Sequence, residues 1–382
     1  MMDKRRYILA GRLIDGSGAP VRRNILLEIQ DGIIISCQPA TAFPGDAVGD
    51  DLSHCTLVPA LVDCTVALLQ SPSVGERSLS LAENRIEEQG DIPKDMLGRH
   101  IQYCFAHGVL GVVAQDKSGL VQECQRRSEQ ADGIVLRTAH AGADADFLRI
   151  SYSADIEEAA SVSLQLDHDH LCRILSKRGE KKAIVVANGP QQVAQALEAG
   201  CDALEQGYGM GETNLIRMAA EDVLWIPNVV RAKNALDASS SGGSVCCRFS
   251  TRYVAPGEPV PGAEAFWKKV LADQLAQLRL ARELGVQIAV GTGAGSIGIL
   301  HGESVVEEIK LLLKAGFSLE ESIQCASTNG AAFFGMEELG QLGVGQRATF
   351  LLTRGTVGQL PRKLSYLEGV YIDGMPSAAY SK

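Results

Sequence analysis

The chain has 382 residues, 46% of them apolar and 21% charged, which excludes a disordered or collagen-like polymer. Its 36 Lys and Arg against 46 Asp and Glu leave a net charge of −10, an acidic balance that argues against a nucleic-acid backbone or an anionic membrane surface as partner. No stretch reaches the roughly 18 apolar residues of a membrane span, and the first apolar run, Tyr7-Ile8-Leu9-Ala10, is too short for the core of a signal peptide. The 10 cysteines contain no CxxC pair and lie mostly in apolar runs, so they read as reduced thiols of a cytoplasmic protein.

In chain order, Tyr7–Leu13 reads as a strand, followed by a turn at Asp15-Gly16-Ser17-Gly18 and a second strand at Asn24–Gln30. Asp31-Gly32 then forms a hairpin turn into Ile33–Cys37. Asp51–Ser53 and Thr56–Val58 lead into a different pattern, in which short apolar runs alternate with helical ones. The runs are Leu57–Leu69, Gly108–Ala114, Gly133–Ala139, Phe147–Ser151, Ala183–Ala187, Asp202–Glu205, Val223–Val229 and Gln287–Gly291. Helical patterns stand at Gln191–Ala199, Glu264–Leu284 and Ser304–Ala315. Strands alternating with helices imply parallel βαβ units, and eight such units imply a closed barrel. Beyond Gly343-Val344-Gly345, Ala348–Thr353 reads as a strand and Gly369–Ile372 with Asp373-Gly374 as a hairpin.

The expected fold is therefore α/β: a (β/α)8 TIM barrel over residues 58–343, with a small composite β-sandwich domain built from residues 1–57 and 344–382. The connection 230–263 is expected to be a long loop at the C-terminal mouth of the barrel. It carries Ser239-Ser240-Ser241-Gly242-Gly243, the vicinal pair Cys246-Cys247 and Pro256, Pro259 and Pro261.

Several of these segments resemble the amidohydrolase superfamily, near its imidazolonepropionase-like and prolidase-like members. Leu57-Val58-Pro59-Ala60-Leu61-Val62-Asp63 is similar to the family's PGLID strand, and Leu197 to Glu205 to its LEAGVDSIE segment. Ile288-Ala289-Val290-Gly291-Thr292 is similar to IAxGTD, and Ala326 to Ala332 to a closing helix. The resemblance implies the barrel and, in family members, a metal-dependent hydrolysis of carbon–nitrogen bonds.

The same alignment places other residues where the family holds its metal. Its first two His ligands fall on Thr65 and Ala67, and its Lys, often carbamylated, on Arg149. The His of the fifth strand falls on Val186, with a neighbouring His on Asn188. The His of the sixth strand falls on Gln206 beside a retained Glu205, and the catalytic Asp falls on Gly293. Zinc takes imidazole, thiolate or carboxylate donors. Ala67, Val186 and Gly293 offer no side-chain donor atom, and a guanidinium cannot be carbamylated as a neutral Lys amine can. No metal and no other cofactor is expected, and no catalytic residue is assigned.

Among the remaining histidines, His140 and His301 follow barrel strands and are pocket candidates, whereas His168-Asp169-His170 reads as a solvated helix start. Cys64, next to Thr65, alternates to the other face of its strand. No nucleophile elbow, P-loop or dinucleotide fingerprint is present. The reading this favours is a non-hydrolytic binding or assembly subunit, with a small polar or anionic ligand and a protein partner or homo-oligomer, and with neither nucleic acid nor membrane as partner. Two enzymatic alternatives stay open: a metal-free hydrolase or lyase using Arg149, Asn188, Gln206 and His301, and a hydrolase with displaced ligands such as His140 and His301.

Overall fold

The computed structural model describes residues 5–45, 47–72, 92–117, 119, 121–123, 133–153, 166–240, 261–355 and 357–380. The pair Cys246-Cys247, Pro256 and Pro259 lie outside the described residues.

The chain begins with β1 (Arg5–Leu13), β2 (Arg22–Gln30), β3 (Ile33–Pro39) and β4 (Gly49–Pro59). In β2 the apolar Ile25, Leu27 and Ile29 recur at every second position and are buried, because alternate side chains of a strand share one face. After the barrel, β12 (Phe350–Arg354), β13 (Gly369–Ile372) and β14 (Met375–Pro376) return to this sheet. The seven strands run in the order β14-β13-β12-β4-β1-β2-β3, with β4 pairing parallel to β1 and antiparallel to β12. The two chain ends thus build one sheet. Its far end is tied back where Ile34 N–H donates to Gln346 O at 2.9 Å and Gly345 N–H to Ile34 O at 2.8 Å. The sheet folds over its own core of Ile8, Leu13, Ile25, Leu27, Ile34, Leu57, Phe350 and Tyr371, separate from the barrel core.

The barrel wall holds β5 (Leu61–Val66), β6 (Val109–Ala114), β7 (Val135–His140), β8 (Phe147–Ser151), β9 (Ala183–Ala187), β10 (Ala203–Gln206) and β11 (Leu224–Ile226). All neighbouring pairs are parallel and follow chain order. β5, β6 and β9 are buried along their whole length, as expected of parallel strands covered on both faces.

The eighth segment, expected at Gln287–Gly291, closes the barrel without becoming a regular strand. Trp225 N–H donates to Gln287 O at 2.8 Å and Ala289 N–H to Trp225 O at 2.9 Å. On the other side Cys64 N–H donates to Val290 O at 3.0 Å and Gly293 N–H to Thr65 O at 2.9 Å. The irregularity has a local cause. A Cβ on Gly291 would stand 2.5 Å from Ile226 Cγ2 and 2.6 Å from Thr65 Oγ1, so at this position the backbone passes too close to both neighbours to carry a side chain.

The covering helices are α1 (Ile92–Ala106), α2 (His168–Ser176), α3 (Pro190–Glu198), α4 (Glu212–Ala220), α5 (Val229–Ser240), α6 (Ala263–Leu284), α7 (Glu303–Ala315), α8 (Leu319–Cys325), α9 (Thr328–Phe333) and α10 (Leu360–Lys363). Two follow directly from the sequence. Asp167 caps α2 by accepting from His170 N–H at 2.6 Å, so the HxH motif is a helix start. Ser318 and Glu321 form a capping box on α8.

One expectation is corrected. The expected strand Val223–Val229 ends at Ile226, and residues 230–240 of the expected mouth loop belong to helix α5. Val229, Val230 and Ala232 are buried there with Leu236 packed on the core, a helical spacing that the Ser- and Gly-rich sequence further on obscures. Among the described residues no helix is long and apolar enough to cross a membrane.

Candidate functional site: the C-terminal mouth of the barrel

Side chains at the C-terminal ends of the barrel strands form two linked groups. In the first, Arg149 on β8 reaches across β9 to Glu205 on β10. Arg149 Nε donates to Glu205 Oε2 at 2.6 Å and Nη2 to Oε1 at 2.9 Å, a bidentate, charge-assisted pair. Strand register explains the reach. Arg149 lies opposite Ile184 and Glu205 opposite Val186, so all four side chains face the same side, with Val186 fully buried between the partners' strands. Glu205 is itself fully buried, and a carboxylate in such a place requires a cation or a proton; Arg149 supplies the cation.

The second group is neutral. Asn188 Nδ2 donates to Gln206 Oε1 at 2.6 Å, and Asn188 Oδ1 accepts from Tyr208 N–H at 2.9 Å. Tyr208 passes the chain onward, its hydroxyl donating to Asn228 O at 2.6 Å. Asn228 Nδ2 then donates to Thr65 Oγ1 at 2.9 Å, and Gly293 N–H reaches the same oxygen at 3.0 Å. Gln206 has φ +71°, rare for a residue of its kind. Its turned carbonyl is held by Trp225 Nε1 at 2.9 Å and Gln274 Nε2 at 3.1 Å, which explains how the conformation is kept.

Below this network Asp63 fastens β5 to the closing segment. It accepts from Thr292 N–H at 2.9 Å and from the Thr292 hydroxyl at 2.6 Å. Burial pushes its carboxyl up to about 6 against the opposing pull of these hydrogen bonds. Cys64 points the other way, towards Gly330 of α9, as strand alternation requires.

The two candidate histidines are held apart from these groups. His301 stacks on His100 with ring centroids 3.8 Å apart. His301 Nε2 lies 3.1 Å from Ala67 O, and His100 Nδ1 2.7 Å from Leu68 O. Carbonyls only accept, so each of these nitrogens carries the proton. Burial first, then the His100 charge, lowers His301 to about 3, and the ring is neutral at physiological pH. His140, at the end of β7, accepts from Gly142 N–H at 3.0 Å and is also lowered by burial. Beside the His pair, Asp116 accepts from Leu68 and Leu69 N–H at 2.6 and 3.1 Å, and burial raises it to about 6.

Of the ten candidates, Arg149, Val186, Asn188, Glu205, Gln206, Thr65 and Gly293 share the two linked groups. Ala67 and His301 form a contact of their own, and His140 stands on β7. Sequence reasoning assigned no site role to Asn228, Asp63, Thr292 or His100. Asn228 carried one usable signal, its place as a polar residue behind Pro227 inside the seventh apolar run.

Comparison with known families places the chain. The model of the amidohydrolase family matches residues 161–374, more than half of the chain. The chain belongs to the amidohydrolase family. Solved structures share the amidohydrolase architecture along almost their full length. A Xaa-Pro dipeptidase with bound methionine in its active site is 19% identical with a TM-score of 0.77, covering 98% of this chain and 100% of that one. The ochratoxinase of A. niger is 16% identical with a TM-score of 0.77, covering 98% and 95%. Molinate hydrolase is 15% identical with a TM-score of 0.72, covering 99% and 96%. At these identities the likeness shows the fold. A comparison with curated proteins returns no match.

The residues that the sequence resemblance aligns with the amidohydrolase metal ligands offer a metal little. Among the described residues no three His, Cys, Asp or Glu side chains come together where they could hold a metal ion. Thr65 Oγ1 already receives two N–H groups, and both oxygens of Glu205 face the Arg149 guanidinium. Ala67, Val186 and Gly293 bring no donor atom. These residues do not fit the amidohydrolase metal centre.

Proposed function

We propose that this amidohydrolase-family chain is a non-hydrolytic binding or assembly subunit, whose barrel mouth receives a small polar ligand without a metal. The observation that carries the reading is the Arg149–Glu205 pair. A fixed cation stands at the amidohydrolase Lys position and occupies the carboxylate beside the former ligands. Without a metal, nothing there lowers the pKa of a water molecule towards neutrality, as zinc does where it is bound. Gly293, at the position of the family's base, has no group to take the proton. His301 is neutral and engaged with Ala67 O, so it is not a poised base either. Its partner in this reading is a protein or a second copy of the chain. The described cysteines are thiols, which suits a reducing cytoplasm.

Elemental analysis of protein purified without chelators, followed by a panel of amide, ester and lactone substrates, tests the reading. It predicts metal far below one atom per chain and no turnover above the uncatalysed rate. Stoichiometric metal whose removal lowers Tm, or turnover of any panel member, would overturn it.

A further inference from the structure

The surface beside α10 departs from the acidic character of the chain. From Leu339 to Leu367 the sequence carries Arg347, Arg354, Arg362 and Lys363 and no Asp or Glu, although the whole chain has 46 acids. Arg347 is paired with Asp373 and Arg354 with Glu368, whereas among the described residues neither Arg362 nor Lys363 has a carboxylate partner. These two cations, with Gly358, Gln359 and Tyr366, line a hollow of about 360 Å³. Its frame is fixed by the core. Leu360, Leu364 and Leu367 are buried at helical spacing and join the barrel core, so the polar residues between them face outward. The stem of Lys363 lies along Gly355, where a Cβ would stand 3.5 Å from its Cγ and 3.6 Å from its Cε. A Cβ on Gly358, by contrast, would meet no atom within 4 Å, so the hollow is open on that side. Leu367 also packs against Gly108, just ahead of β6, which puts the hollow at the N-terminal end of the barrel, away from the mouth.

Two neighbouring cations without a counter-charge repel each other, and a single dianion relieves both. We infer that this hollow is a binding site for a small phosphate monoester, its phosphate held by Arg362 and Lys363. Arg362 brings a planar fork that matches two phosphate oxygens, Lys363 a compact point charge, and Gln359 and Tyr366 neutral donors. The Tyr366 ring is 47% exposed, and with the open side at Gly358 it leaves a flat, accessible surface for the organic part of the ester. The volume suits a small molecule. A cationic ligand finds no carboxylate in the lining. Nucleic acid is not the ligand, because two free cations on a chain of net charge −10 supply little of the backbone contact that its binding needs. The site is separate from the mouth, and the assignment does not depend on whether the mouth holds a metal.

The test uses the full chain and three probes of similar size: phenyl phosphate, benzoate, which carries one charge, and phenol, which carries none. Ligand-observed NMR titration at physiological salt, where loose surface attraction is screened, is expected to give saturable binding of phenyl phosphate. Benzoate should bind several-fold more weakly and phenol not at all. The double variant Arg362→Gln, Lys363→Gln should weaken phenyl phosphate by about tenfold or more, the scale of a lost charge-assisted contact. Neither side chain has a carboxylate partner to lose, so the melting temperature of this variant should match wild type. Gly358→Leu puts a side chain into the open side of the hollow and should abolish binding, with circular dichroism confirming the fold. Phenyl phosphate binding that does not saturate, that is unchanged in the double variant or in folded Gly358→Leu, or that benzoate or phenol equals, would each overturn the assignment.

Discussion

Arg149 and Glu205 hold each other by two hydrogen bonds across the width of β9, so that one ion pair links three consecutive barrel strands from the inside. The carboxylate is wholly buried and the guanidinium is 16% exposed. The pair is thus a tie within the barrel wall.

Breaking that tie from one side is expected to be costly. Arg149→Met leaves Glu205 buried without its cation and should lower the unfolding free energy by about 3–5 kcal/mol. The double variant Arg149→Met, Glu205→Leu should recover most of the loss, because no uncompensated charge remains. Urea unfolding of the single and double variants measures both. A single variant as stable as wild type would show that the pair contributes nothing to holding the wall.

Rebuilding the family ligands is expected to fail. Thr65→His, Ala67→His, Arg149→Lys, Val186→His, Gln206→His and Gly293→Asp together restore the donor types. Yet Thr65→His removes the hydroxyl that receives Asn228 Nδ2 and Gly293 N–H, and Gln206→His removes the acceptor of Asn188 Nδ2. Each bulky side chain added to the packed mouth costs about 1–3 kcal/mol, and the new imidazoles lack partners to set their tautomers. The combined variant should melt below wild type and take up zinc weakly in a calorimetric titration. Tight zinc binding with fast amide hydrolysis would indicate a scaffold still poised for the reaction.

Glu308 supplies a pH-dependent term. This α7 carboxyl is buried and accepts from Val230 N–H at 2.8 Å, and burial raises it from 4.5 to about 8. The folded state therefore holds a proton that the unfolded chain releases at lower pH. Its stabilising contribution is complete below pH 4.5 and is lost as pH rises through about 8. Glu308→Gln keeps an acceptor for Val230 N–H without the titration. Between pH 6 and 9 wild type should lose on the order of 2 kcal/mol relative to this variant in paired urea melts. Parallel pH profiles for the two proteins would exclude the assignment.

The alternation of apolar runs and helical patterns was enough to read the barrel, because strands buried on both faces must be apolar throughout, as Ala183–Ala187 is. It failed where composition and geometry part company. Val229–Ser240 is a helix whose end runs into a Ser- and Gly-rich stretch, and Gln287–Gly291, whose apolar run reads as a strand, closes the barrel without the regular ladder of one. Local motifs singled out Arg149, Glu205 and Gln206, but that Arg149 and Glu205 touch is legible only in the folded barrel. What stayed illegible were relationships between residues far apart in the chain. The stacking of His100 on His301 and the bond from Asn228 to Thr65 depend on how the barrel closes, and no local pattern of either residue encodes them.

The pairing of β4 with β12 has a consequence for synthesis. Strands β1 to β4 leave the ribosome early, yet the edge of β4 stays without its second neighbour until the whole barrel has been translated and β12 follows. A nascent chain of this design carries an open sheet edge through most of its own production, the kind of exposure that recruits chaperones and invites pairing between chains. Folding order is thereby set: the barrel, whose strands pair with their sequence neighbours, can assemble first, and the terminal sheet locks last.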